Sequence, residues 1–69
     1  MNIQEQHVYN TIQFITNKMC IKRQISDVEY ITLKGIRKEF QNKFLQSEAD
    51  KAIKFYENNI GIIKLIKTV

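Results

Sequence analysis

The sequence predicts a single, mainly α domain of three helices closed by a short C-terminal strand. Three observations carry that expectation. Apolar residues recur at intervals of three and four in three separate stretches, the spacing that puts them on one face of a helix. The chain has no proline and only two glycines, so little in it breaks a helix. After Gly61, β-branched residues dominate: Ile62, Ile63, Ile66, Thr68 and Val69. The alternative is an all-α three-helix bundle, which follows if that last segment, or the middle of the chain, is continuously helical.

Length and composition narrow the function classes. A chain of 69 residues allows one domain, residues 1–69. Such a domain buries only roughly 60% of the surface its unfolded chain exposes, so its core is thin. The single cysteine, Cys20, cannot close an internal disulfide, and a secreted mini-protein is normally cysteine-rich; a reducing, cytoplasmic setting is therefore expected. No apolar run reaches the roughly 18–20 residues of a membrane span. Residues Met1–Gln6 have neither the basic region nor the apolar core of a signal peptide. With 43% apolar residues the composition is not that of a disordered chain. The net charge is +4, and seven of the eleven Lys and Arg fall between Lys18 and Lys43. Mid-chain basicity suits a surface facing a polyanion. The bland reading is a solvated lysine face of the kind AT-rich coding sequences produce.

Taken in order, the first helix spans residues 4–20, with Val8, Ile12, Ile15 and Met19 on one stripe. Phe14 lies about 100° round from Ile15 and shares its face with His7 and Ile21. Either Phe14 packs on a loop or on the C-terminal strand, or it forms a homodimer interface.

The second element has two readings. Ser26-Asp27-Val28-Glu29 has capping-box spacing, which argues for one long helix from Ser26 to Phe44. Against it stand the β-favouring run Tyr30-Ile31-Thr32 and Gly35, which costs a helix interior about 1 kcal/mol relative to Ala. The preferred reading is a loop through Asp27, a brief extended segment at Tyr30–Ile31, and a helix from Leu33 with Thr32 as cap. Leu33, Ile36, Phe40 and Phe44 form its apolar stripe; Lys34, Arg37, Lys38 and Lys43 lie off it.

After Leu45-Gln46 as turn, the third helix is expected to open at Ser47, capped with Asp50 in place of the usual Glu. Ala49, Ala52, Ile53 and Tyr56 make its core face. Asn58, Asn59 and Gly61 supply a left-handed stop. In residues 62–69, Ile62, Leu65, Ile66 and Val69 fit a helical face, whereas Ile63, Leu65 and Val69 share one side of a strand with Lys67 as exception. The β-branched content favours the strand.

Thr32–Phe40, then Ser47–Glu57, then Gly61-Ile62-Ile63, resembles the winged-helix branch of the helix-turn-helix DNA-binding superfamily. That pattern has a Thr-Leu helix start, a short positioning helix, a capped recognition helix with a small residue, and a Gly-Ile-Ile leading into the wing. The likeness covers about half the chain, Thr32 to Ile66. The stretch from Phe40 to Ser47 is a few residues longer than the pattern, and Val69 leaves little room for a full wing. The resemblance implies a small transcriptional regulator with helix 47–59 in the major groove of double-stranded DNA. Ser47, Lys51, Lys54 and Asn58 would face DNA, with Ser47 at the helix N-terminus and Asn58 reading a base edge. Lys34, Arg37, Lys38, Lys43 and Lys64 would lie near the backbone. Glu48 and Asp50 oppose an anion but complement a helix start.

The chain reads as a non-enzyme without cofactor, metal or small-molecule substrate. His7 and Cys20 alone cannot build a tetrahedral zinc site, and on separate turns of one helix they have no third group to orient a nucleophile. Cys20 reads as a small buried or half-buried apolar residue. There is no Gly-rich phosphate loop. Tyr9, Tyr30, Tyr56 and the phenylalanines fall on or beside apolar stripes, as core residues do. The second function class is a protein-binding inhibitor or accessory subunit, anchored by Phe14 and the C-terminal isoleucines.

Overall fold

A computed structural model describes residues 1–61. The chain forms α1 (Ile3–Lys22), α2 (Asp27–Glu39) and α3 (Lys43–Tyr56), followed by a short π-helical turn, Glu57–Gly61. The described residues are all-helical in their regular structure, with no strand among them. The expected strand at 62–69 lies outside the described residues.

Each helix starts at a side chain that satisfies free backbone N–H groups. At α1, the Asn2 side chain accepts the Glu5 N–H at 2.7 Å and Glu5 accepts the Asn2 N–H at 3.0 Å. The helix stops at Arg23, which takes the left-handed conformation (φ 56°) and donates its N–H to the Met19 carbonyl. Ile25, buried, then anchors the connection to α2.

α2 corrects the expectation of a loop and an extended segment. Ser26 Oγ accepts the Glu29 N–H at 3.2 Å, and Glu29 accepts the Ser26 N–H at 2.8 Å and the Lys18 ammonium at 3.0 Å. Tyr30, Ile31 and Thr32 are all helical. Thr32 is no cap: its hydroxyl donates to the Val28 carbonyl at 2.7 Å. The physical reason is tertiary. Leu33 is fully buried and the Tyr30 ring lies 4.9 Å from that of Tyr56, contacts that outweigh β propensity and the glycine. The helix ends at Glu39, short of Phe44.

α3 begins earlier than expected. Asn42 Oδ1 accepts the N–H groups of Phe44 and Leu45 at 2.9 and 3.1 Å. Ser47 is therefore not a cap but an exposed residue inside the helix. Leu45 explains the shift. It is fully buried, four residues before Ala49, on the same stripe as Ala52, Ile53 and Tyr56. A start at Ser47 would take it off that stripe. Phe44 corrects another expectation: it is half-exposed and its ring lies 5.9 Å from that of Tyr9 instead of in the α2 stripe. At the far end Asn58 and Asn59 are not left-handed; the chain widens into the π turn and buries Ile60.

α3 is the hub. Both α2 and α1 pack against it, while α1 and α2 meet only slightly. Ile12, Ile15 and Met19 of α1, Leu33 of α2, and Leu45, Ala49, Ala52, Ile53 and Tyr56 of α3 make the core. That arrangement leaves the opposite side of α3 facing outwards.

Candidate nucleic-acid interface

The outward side of α3 carries Lys43, Ser47, Lys51 and Lys54, all exposed. At 100° per residue they fall within an arc of about 80°. Asn58 follows in the π turn, also exposed. The early helix start matters here, because it brings Lys43 onto the same helix as the other cations. It also removes Ser47 from the helix N-terminus, so the expected role of Ser47 as cap and N-terminal phosphate ligand does not hold. Between α2 and α3 lie only Phe40, Gln41 and Asn42. The long gap read between Phe40 and Ser47 is thus largely helix.

The cations are not all free. Asp50 bridges two of them: Arg37 Nη1 on α2 at 3.0 Å and Lys54 Nζ at 3.0 Å. Lys54 first, then Arg37, holds the Asp50 carboxyl below its ordinary pKa. Lys51 lies 3.7 Å from Glu48. Lys34 sits over the Tyr30 ring, 5.1 Å from its centroid. Lys38 and Lys43 make no ion pair among the described residues. Lys64 lies outside them.

These pairs set the character of the surface. The Arg37–Asp50–Lys54 group keeps one net positive charge and Lys51–Glu48 is neutral. The side chains of Lys51 and Lys54 are 72% and 68% exposed, so solvent screens their pairs and they contribute little to stability. A phosphate oxygen can replace a carboxylate there at little cost. The Arg37–Asp50 contact is less exposed and braces α2 against α3.

Three polar links were not visible in the sequence reading. Asn42 Nδ2 donates to Glu5 Oε2 at 2.6 Å, tying the start of α3 to the start of α1. That bond, and then the Asn2 N–H, lowers the Glu5 pKa. The Lys18 ammonium on α1 donates to Glu29 on α2 at 3.0 Å and, after the Ser26 N–H of the capping box, lowers the Glu29 pKa. The Tyr30 hydroxyl donates to Glu57, which raises the tyrosine pKa. An Asn three residues before Leu45 was the available signal for the true cap.

Other sequence candidates separate. His7 and Cys20 are both exposed on α1, so Cys20 is not the buried apolar residue expected. Among the described residues no group of three or more His, Cys, Asp or Glu is placed to hold a metal ion. No described helix is long and apolar enough to cross a membrane. Phe14 is 65% exposed and does not pack on a loop among the described residues; the C-terminal strand expected to cover it lies outside them. No protein-family model matches the chain, and no curated protein and no solved structure shows significant similarity to it.

Proposed function

We propose that the protein is a small DNA-binding regulator of the helix-turn-helix type that lays α3 in the major groove. One observation carries the reading: Lys43, Ser47, Lys51 and Lys54 share the outward side of a helix whose other side is the core. The three-residue link between α2 and α3 has the length of a helix-turn-helix turn. In this reading Lys43, Lys51 and Lys54 neutralise phosphates, and Lys34, Arg37 and Lys38 lie towards the flanking backbone. Ser47 and Asn58 offer hydrogen bonds to phosphate or base edge. The wing of the resembled family is not needed for these contacts, and residues 62–69, with Lys64, add to them only if they reach the duplex.

The test is a titration of labelled random-sequence duplex DNA at several salt concentrations. The three phosphate contacts of α3 give a log–log slope of about −2.7, steeper where Lys34, Arg37 and Lys38 also reach phosphates. Lys51→Ala weakens binding to every sequence alike and flattens the slope by about one unit. Asn58→Ala relaxes sequence preference and leaves the slope unchanged. Asp50→Asn tightens binding, since it frees Arg37 and Lys54 and removes a repelling carboxylate. Absence of salt-dependent affinity at low ionic strength refutes the reading.

A protein-binding accessory subunit is the second reading, and the exposure of Phe14, Ile21, Val28 and Ile31 favours it. Its mark is tight, salt-insensitive association with an apolar partner surface and none with DNA.

A further inference from the structure

We infer that α1 is the interface of a homodimer in which two copies of the helix pair antiparallel through its outward side. The residues that carry this are Ile3, His7, Asn10, Phe14, Asn17 and Ile21. They follow one another at intervals of four and three, the spacing of a coiled-coil seam, and every one is exposed. They lie opposite the core stripe of Ile12, Ile15 and Met19, so the seam is a second, unpartnered side of the helix among the described residues. Its three large apolar residues, Ile3, Phe14 and Ile21, are 80%, 65% and 79% exposed.

The seam is complementary to itself. At its C-terminal end Phe14, Asn17, Lys18, Ile21 and Lys22 line a shallow groove of about 310 Å³. At its N-terminal end Ile3 projects into solvent. A two-fold axis beside Ile12 places each Ile3 against the partner's Ile21, in the partner's groove, and does so twice. The same register sets His7 against the partner's Asn17 and Asn10 against the partner's Phe14. Polar groups meet polar groups or a ring edge, and no seam position is left facing a like charge. Polar residues inside such a seam fix register and orientation.

Charge selects a second copy over a charged partner. The residues flanking the seam are Gln4, Gln6, Thr11, Gln13, Lys18, Cys20 and Lys22. Glu29 holds Lys18 at 3.0 Å. The two-fold register sets Lys18 beside the partner's Gln6 and Lys22 beside the partner's Asn2, so neither lysine faces a cation of the other copy. Antiparallel helices also set opposite dipole ends side by side. The seam is about 27 Å long at 1.5 Å per residue. That is small beside a standard interface of roughly 800 Å² per partner, so the dimer forms at micromolar or higher concentration.

Sedimentation of the wild type from about 10 μM to about 1 mM, the range for small interfaces, is expected to show a concentration-dependent dimer. Phe14→Glu and Ile21→Glu each raise the dissociation constant more than about 100-fold with helical content retained, because both sites are exposed in the monomer. Ile31→Glu, an equally exposed change on α2, leaves it within about twofold. The register is read separately. His7→Cys with Asn17→Cys, in a Cys20→Ser background, is expected to give disulfides between positions 7 and 17 of different copies. A wild type monomeric throughout, dissociation by Ile31→Glu in place of Phe14→Glu, or 7–7 and 17–17 disulfides would overturn the inference.

Discussion

At Ser26 the hydroxyl accepts the Glu29 N–H while the Glu29 carboxylate turns back to the Ser26 N–H. At Ser47 the acid Asp50 stands at the same spacing, yet the serine lies within α3 and Asp50 points instead to Arg37 and Lys54. The two sites differ in what precedes them. Before Ser26 the chain has left α1 through a left-handed Arg23, so a new helix begins here and the N–H groups of its first turn need a partner. Before Ser47 stands Leu45, which must be helical to reach the core, and Asn42, which caps the turn that Leu45 belongs to. A capping motif is thus an option that packing upstream accepts or overrides.

The largest effect is expected at Leu45. Leu45→Ala removes a fully buried side chain and should cost about 2–5 kcal/mol in urea unfolding. Were α3 to start at Ser47, Leu45 would sit in a turn and the loss would be much smaller.

Removing the caps comes next. Asn42→Ala and Ser26→Ala should each destabilise by about 1 kcal/mol, with Asn42 the larger. Asn42 satisfies two N–H groups and also holds Glu5. Equal, negligible shifts in both unfolding midpoints would remove both as caps.

Acid titration sharpens the contrast between the two acids. Glu29 and Asp50 both have folded pKa values below their unfolded ones, for different reasons: the Ser26 N–H at Glu29, Lys54 at Asp50. A depressed carboxyl pKa contributes stability above the unfolded value and loses it as pH falls through the folded value, so the loss lies below about pH 4.5. Glu29→Gln and Asp50→Asn should each flatten the acid limb of the stability profile. Added salt should shrink the Asp50 contribution more, since ion pairs are screened and a backbone cap bond is not.

The smallest effect is at Ser47. Ser47→Ala should change stability by less than about 0.5 kcal/mol, and on the stabilising side, because alanine is the better residue inside an exposed helix. A loss near 1 kcal/mol at Ser47 would restore it as a cap.

What the sequence made legible follows from these same contacts. The stripes Ile12–Ile15–Met19 and Ala49–Ala52–Ile53–Tyr56 could be read because helical periodicity is a local signal. Helix boundaries could not. Tyr30-Ile31-Thr32 reads as extended until Tyr56, 26 positions later, supplies a ring to pack on. Asn42 reads as an interior residue of a helix running to Phe44 until Leu45 is known to be buried in α3. The outward position of Lys51 and Lys54 was legible from the opposite stripe. The bridging of Arg37 and Lys54 by Asp50 was not, because it joins two helices.

α3 runs from Lys43, and in the proposed complex its outward side, Lys43 included, faces a polyanion. The salt dependence of Lys43→Ala on random-sequence duplex DNA tests this most directly. With Lys43 on the stripe, the log–log slope should flatten by about 0.9 relative to wild type, the loss of one phosphate contact. A slope identical to wild type would place Lys43 away from the nucleic acid and contradict the assignment of that side of α3.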